Sequence, residues 1–90
     1  MPGSSEGVVT LTGDLHARPA GSLALAAAAF ASAVHLAAGG RTVDAKSVLS
    51  VMGLGATSGQ QVTVHATGPD AAEAVTAILG ILAEASPMGG

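Results

Sequence analysis

The stretch AVHLAAGGRTVD, residues 33–44, contains two short runs suited to β-strands, 33–38 and 41–44, on either side of a Gly-Gly pair. Gly39 and Gly40 accept the positive φ angles of a tight two-residue turn, so the stretch predicts a β-hairpin. Two short strands are at best marginally stable alone. The rest of the chain must therefore supply further strands and a covering layer.

Upstream of this hairpin, the sequence predicts one strand followed by one helix. Residues 8–12 form a short run rich in β-branched side chains, which is typical of a strand. Residues 17–32 carry apolar side chains at alternating spacings of three and four, which place them on one face of a helix. These residues are Ala20, Leu23, Ala27 and Phe30.

Downstream of the hairpin, the sequence predicts a short helix, a strand and a final helix. Ser47 is placed to cap a helix running to Met52. Residues 61–67 alternate apolar and polar side chains, as a half-buried strand does. Asp70 and Glu73 have the spacing of a capping box at the start of the last helix. The buried stripe of that helix is predicted to be Val75, Ile78, Leu79 and Leu82.

The predicted order is strand, helix, strand, strand, helix, strand, helix. Four short strands cannot bury themselves, so the helices must cover one face of the sheet. The expected fold is α+β, an open-faced sandwich of a four-stranded antiparallel sheet covered on one face by three helices. With 90 residues, we expect one domain spanning 1–90, with an ordered core at about 8–85 and flexible ends.

Composition excludes several classes of partner and site. Charged residues make up 10% of the chain, only three are basic, and the net charge is −3, with no Trp or Tyr. Nucleic-acid binding normally needs more phosphate contacts and an aromatic platform, so we expect none. The absence of cysteine excludes disulfides, thiolate zinc sites and thiol nucleophiles. His35 and His65 lie in predicted strands without ligand spacing in the sequence, so we expect no metal site.

The uncharged run 19–40 is long enough for a membrane span but consists mainly of Ala, with Gly, Ser and His among the rest. We therefore expect no membrane insertion. No basic segment precedes an apolar run near Met1, so the sequence predicts no signal peptide and a cytoplasmic location.

The segment GDLHARPA, residues 13–20, places His16 where a loop becomes a helix and Arg18 in the first helical turn. Free N–H groups, the helix dipole and a guanidinium together make such an end an anion site. They favour the neutral, nucleophilic imidazole and would stabilise a phosphoryl group attached to it. The alternative is that His16 merely caps the helix.

The motif His16-Ala17-Arg18-Pro19-Ala20 after a first strand, with Lys46-Ser47 opening a short helix about thirty positions later, resembles the HPr family. These proteins are the histidine-containing phosphocarriers of the sugar phosphotransferase system. The resemblance runs from about residue 8 to residue 84 and includes the hairpin residues 40–43 and the segment 46–55.

The resemblance implies that His16 accepts a phosphoryl group on Nδ1 from phosphorylated Enzyme I, which draws on phosphoenolpyruvate. His16 would then pass the group to the IIA unit of a sugar permease, and Arg18 would stabilise the phosphate. Such a protein is a stoichiometric carrier rather than an enzyme, and the family uses no metal or organic cofactor.

The resemblance also assigns roles to the segment around the short helix. Ser47 matches a serine that a dedicated HPr kinase phosphorylates in some bacteria, which reduces transfer and recruits a transcription regulator. An exposed apolar patch marks a docking site for partners. We expect Leu49 and Met52 to point outward and Val48 and Val51 to be more buried. The docking residues implied are Lys46, Val48, Leu49, Met52 and Leu54.

Three functions remain open at this point. The first is a sugar-system phosphocarrier, and the second is a carrier of a nitrogen-related or dihydroxyacetone branch. The third is a regulatory binding module that acts through phosphorylated Ser47. After Arg18 the first helix lacks the lysines that many family members carry, so docking would depend on Arg18, Lys46 and apolar contact. We expect a monomer.

Overall fold

The computed structural model describes residues 3–15 and 17–84. Its elements follow the predicted order of strands and helices. They are β1 (Gly3–Thr10), α1 (Ala17–Ala28), β2 (Ala33–Ala38), β3 (Arg41–Asp44), α2 (Val48–Gly53), β4 (Gln61–Gly68) and α3 (Ala71–Glu84).

The four strands form one antiparallel sheet in the order β1-β4-β2-β3. The hairpin of β2 and β3 has the predicted bounds, and Gly39 and Gly40 have φ angles of 57° and 79° at its turn. Along β4, Val62, Val64 and Ala66 are fully buried, while the alternate side chains lie on the other face. The sheet therefore has one covered face and one open face.

The helices cover one face of this sheet, as predicted. Helix α3 packs on β1, β4 and β2, and α1 packs on α3 and α2. The core between the layers is aliphatic, and its largest fully buried side chains include Leu11, Leu23, Leu36, Ile78 and Leu82. The α+β open-faced sandwich is thus confirmed.

The first strand begins earlier than predicted. Its pairing with β4 runs without a break from Gly3 opposite Gly68 to Thr10 opposite Gln61. The prediction that residues 3–7 belong to a flexible end is therefore wrong, and the strand ends two residues before the predicted position 12. The polar, glycine-containing start of this edge strand is held by backbone pairing. The predicted flexible residues 86–90 lie outside the described residues.

Helix α1 ends at Ala28, four residues before the predicted position 32, because the next residues bind the start of α3. The N–H groups of Ala31 and Ser32 each donate to the carboxylate of Asp70 at 2.9 Å. The Ser32 hydroxyl donates to the same carboxylate and accepts from the Asp70 N–H at 3.2 Å. The Asp70 carboxylate thus joins α3 to the segment before β2, instead of forming the predicted capping box with Glu73.

This contact predicts an acid-sensitive part of the stability. The Ser32 hydroxyl, and then the Ala31 N–H, hold the pKa of Asp70 below its usual value of 3.8. Because the folded state favours the carboxylate, the contribution is complete above the unfolded pKa and is lost as pH falls through the lower folded pKa. Asp70→Asn is therefore expected to flatten the change in urea midpoint below about pH 4.

The matched control is Glu73→Gln, which removes one negative charge from an exposed position on α3. Its urea midpoint should keep the wild-type slope below about pH 4. An Asp70→Asn protein whose acid slope equals that of the wild type would show that the carboxylate contributes nothing specific.

Candidate functional site

The loop that leads into α1 is joined by backbone hydrogen bonds to the loop that follows α2. The Leu11 N–H donates to the carbonyl of Gln60 at 2.9 Å, and the Gly59 N–H donates to the carbonyl of Leu11 at 2.8 Å. Nearer the helix, the Leu15 N–H donates to the carbonyl of Ala56 at 3.0 Å. The position of the loop before α1 is thus set from both of its ends.

Two side chains anchor the last residues of this loop. The carboxylate of Asp14 accepts a hydrogen bond from the Ser58 N–H at 2.9 Å, and Leu15 is buried in the core. His16 follows directly in the sequence but lies outside the described residues. Its role as phosphoryl acceptor therefore stays a prediction. Its neighbours in the sequence are the buried Leu15 and Ala17, the first residue of α1.

The start of α1 combines the positive end of the helix dipole with a basic side chain. The helix begins at Ala17, and its first turn contains Arg18 but no acidic residue. Arg18 is exposed, whereas Ala20 on the opposite face is fully buried. The positive end of the helix dipole and a permanent cation therefore lie beside the position in the chain that His16 occupies.

Ser47 caps α2, as predicted. Its backbone is extended, with φ −107° and ψ 114°, and its Oγ accepts a hydrogen bond from the Ser50 N–H at 3.2 Å. At the other end of α2, Arg41 Nη1 donates to the carbonyl of Gly53 at 3.1 Å. A cation at this end is favourable because the last carbonyls of a helix carry partial negative charge. Side chains therefore stabilise both ends of a helix of six residues.

The cap predicts how two substitutions of Ser47 change the stability of the fold. Ser47→Ala should destabilise the fold by about 1 kcal/mol, because it leaves an N–H of α2 without its partner. Ser47→Asp should keep most of the stability, since aspartate caps helices about as well as serine. Urea unfolding of both variants measures the difference. Equal losses in the two variants would contradict a capping role for the side chain.

Helix α2 presents apolar side chains to solvent. Leu49 is 82% exposed and Met52 is 41% exposed, so both point outward as expected, and Val51 is fully buried as expected. Val48 is 40% exposed, practically the same fraction as Met52, so the expectation that it lies on the buried side of the helix with Val51 is wrong. Leu54 is only 4% exposed and belongs to the core, so it is not part of an exposed patch.

Two facts of packing explain these differences. Val48 is the first residue of α2, whereas Leu54 follows the helix and turns inward before the Ala56 carbonyl accepts the Leu15 N–H. We call the exposed side chains of Val48, Leu49 and Met52 the α2 patch. Because α2 packs beside α1 and the loop after it binds Leu15, the α2 patch lies in the same layer as the start of α1.

Lys46 is less available than the sequence suggests. Its Nζ donates to the carbonyl of Phe30 at 2.9 Å, and the residue is half-buried. This carbonyl follows the end of α1, where backbone acceptors lack partners within the helix. The ammonium of Lys46 thus ties the end of α1 to the start of α2, and a role in docking stays a prediction.

Residues 3–15 and 17–84 contain neither a cluster of three metal-ligating side chains nor a helix able to span a membrane. No three His, Asp or Glu side chains in these ranges are grouped so that they could hold a metal ion. No helix within them is long and apolar enough to cross a membrane.

The chain is similar to known proteins in both sequence and fold. The family model described as "PTS HPr component phosphorylation site" matches residues 4–84. The chain is 45% identical over 69 residues to the phosphocarrier protein HPr of Cupriavidus necator. The matched segment covers 77% of this chain and 78% of that protein.

Solved structures give the same result. The histidine-containing phosphocarrier protein of Mycoplasma is 31% identical to this chain, with a TM-score of 0.80. The match covers 98% of this chain and 100% of the Mycoplasma chain. The phosphocarrier protein HPr of Bacillus anthracis is 31% identical, with a TM-score of 0.78 over 90% of this chain and 96% of the other. Sequence and fold therefore agree along nearly the whole described length.

Proposed function

Because the chain belongs to the HPr family of phosphotransferase-system phosphocarriers, we propose that His16 accepts a phosphoryl group from phosphorylated Enzyme I and passes it to the IIA unit of a sugar permease. One observation carries the proposal. The family match covers 4–84, and within it α1 begins at Ala17, directly after His16, with Arg18 in its first turn.

The transfer step uses few groups of the protein. A lone pair of the neutral His16 imidazole forms a nitrogen–phosphorus bond while the bond between phosphorus and the donor breaks. The electron pair of the breaking bond stays with the donor. Phosphoryl transfer of this kind depends chiefly on positioning and on stabilising charge. The N–H groups at the start of α1 and the guanidinium of Arg18 supply that stabilisation.

The carrier must also release the phosphoryl group. The interaction of an anion with a helix dipole contributes about 0.3–1 kcal/mol, and Arg18 is exposed to solvent, which screens its charge. Both contributions are small enough for the group to leave again in the next step. This weak electrostatic stabilisation of the phosphoryl group is therefore consistent with its transfer onward to an acceptor.

Transfer assays test the proposal directly. The protein is incubated with Enzyme I and labelled phosphoenolpyruvate, and then chased with a panel of IIA units from sugar, nitrogen-related and dihydroxyacetone branches. We expect acid-labile, base-stable label that moves to one class of acceptor. Absence of label in the presence of active Enzyme I would refute the proposal, and the acceptor class distinguishes the branches.

The α2 patch predicts a docking variant with an intact fold. Leu49→Ser should raise the KM of Enzyme I for this protein about fivefold or more, because truncating a central apolar contact typically costs over 1 kcal/mol of binding. Its melting temperature should change little, since Leu49 is already 82% exposed. Steady-state transfer kinetics and thermal unfolding measure the two effects.

Val8→Ser is the matched control for this variant. Val8 is 55% exposed but lies in β1, on the face of the sheet that the helices do not cover. The KM for Enzyme I should therefore equal the wild-type value. A similar rise in both variants would mean that the effect is not specific to the α2 patch.

A further inference from the structure

The open face of the sheet carries four titratable side chains in one row. The strand register places His35 opposite His65, His65 opposite Glu6, and His35 opposite Asp44. Given the strand order, the row runs Glu6, His65, His35, Asp44 from one edge of the sheet to the other. All four residues are exposed, on the side opposite the helices.

The two imidazoles in the middle of the row are direct cross-strand neighbours. Cβ atoms of such pairs lie about 4.5–5.5 Å apart, and their side chains leave the sheet in the same direction. Two imidazole nitrogens can then approach one ion at the usual distance of about 2.0–2.1 Å. The pairing brings together residues that are far apart in the sequence.

The surroundings leave room for a hydrated ion. A shallow depression of about 430 Å³ lies over this part of the sheet. Beside the row, the depression is lined by the small side chains of Thr63, Ala37 and Thr42. An ion bound by the two imidazoles would therefore keep water molecules in its other coordination positions.

The charge of this face favours a cation. Glu6 and Asp44 flank the pair of histidines on both sides. The three basic residues of the chain lie elsewhere: Arg18 is in α1, Arg41 donates to the Gly53 carbonyl, and Lys46 donates to the Phe30 carbonyl. The environment is thus opposite to that of His16, which precedes a helix N-terminus and an arginine.

We propose that His35 and His65 bind a divalent transition-metal ion such as Ni²⁺, Cu²⁺ or Zn²⁺ on the open face of the sheet. Imidazole nitrogens suit these ions better than Mg²⁺ or Ca²⁺, which prefer oxygen ligands. The row also has the arrangement carboxylate, imidazole, imidazole, carboxylate. In metal sites, a ligating histidine commonly donates its second N–H to a carboxylate, which fixes the ring.

The proposed ligand set consists of two imidazoles and water, with Glu6 as the acceptor for the outer ring N–H of His65. Asp44 Oδ1 already accepts the Lys46 N–H at 2.9 Å, so this carboxylate would offer only Oδ2 to His35. This ligand set is consistent with the finding that no three such side chains are already gathered around one point in the described residues. Such a site joins β2 to β4. Because these strands are paired only in the folded chain, bound metal should stabilise the fold.

Titration of the whole protein with each ion, followed by calorimetry and by NMR of the imidazole signals, tests the proposal. We expect one ion per chain, shifts at His35 and His65, and a higher melting temperature with Ni²⁺, Cu²⁺ or Zn²⁺ than with Mg²⁺. His35→Gln and His65→Gln should each weaken binding at least about tenfold, and Glu6→Gln by about tenfold through the outer contact.

His16→Gln is the matched control, since it removes the third imidazole of the chain while leaving the row intact. Binding to this variant should equal binding to the wild type. Loss of binding in His16→Gln, unchanged binding in both His35→Gln and His65→Gln, or no saturable binding would each overturn the proposal. These outcomes do not depend on phosphoryl transfer, so the metal site and the proposed function fail separately.

Discussion

A His16→Ala variant will take up no phosphoryl group from Enzyme I and phosphoenolpyruvate, whereas the wild type will take up one group per chain. The loss should be complete because, in the proposed transfer, the imidazole supplies the electron pair that forms the nitrogen–phosphorus bond. Neither Arg18 nor the start of α1 can replace that bond, since they only stabilise charge. Incorporation of labelled phosphate measured by gel and autoradiography gives the result.

The two remaining histidines of the chain provide the control. A His35→Gln, His65→Gln double variant should be labelled at the wild-type rate, because both residues lie on the face of the sheet away from the helices. Their neighbours Glu6 and Asp44 would also repel a phosphoryl donor. Normal labelling of His16→Ala, with loss of label in the double variant, would place the acceptor on the open face.

Gly68→Ala is expected to be strongly destabilising, by at least about 2 kcal/mol. Gly68 ends β4 with a φ of 148°, which favours glycine. A Cβ added there would lie 2.5 Å from Ser32 Oγ and 2.7 Å from Ser32 Cα. Because Ser32 is held by Asp70, neither its side chain nor its backbone can move away without breaking that contact. The urea midpoint of the variant measures the cost.

Gly80→Ala is the matched control for this substitution. Gly80 lies inside α3, and nothing would lie within 4 Å of an added Cβ. Alanine at this position should stabilise the protein by about 0.5–1 kcal/mol, since glycine is unfavourable in a helix interior. The two variants should therefore shift the urea midpoint in opposite directions. Equal small shifts would show that the close approach of Gly68 to Ser32 is unimportant.

Local sequence rules predict the elements whose ends are determined by nearby residues. The hairpin of β2 and β3 ends where its glycine turn requires, and α2 begins after Ser47 because the cap is local. The alternation in 61–67 predicts β4 to within one residue. Each of these signals lies within a few residues of the structure that it predicts.

Bounds and contacts that depend on distant residues were not predictable in the same way. The start of β1 depends on pairing with β4, and the end of α1 depends on Asp70, more than thirty positions away. The row of Glu6, His65, His35 and Asp44 likewise exists only through the register of the sheet. In the sequence, the two histidines have no spacing that indicates a shared site.

The same distinction between local signals and distant contacts applies to the candidate site. The motif HARPA and the cap at Ser47 can be recognised from the sequence, because they are continuous segments. The contacts that position the loop, from Asp14 to Ser58 and from Leu15 to Ala56, join segments that no local pattern connects. The burial of Leu54 also follows from this joining, since the chain must turn inward to bring Ala56 to Leu15.

The measurement that tests phosphoryl transfer through His16 most directly is NMR of the protein phosphorylated by Enzyme I. Coupling between phosphorus and the imidazole ring identifies both the residue and the nitrogen that carries the group. We predict a single phosphohistidine, on Nδ1 of His16. A phosphoryl group on His35, His65 or a serine after the same reaction would contradict the account.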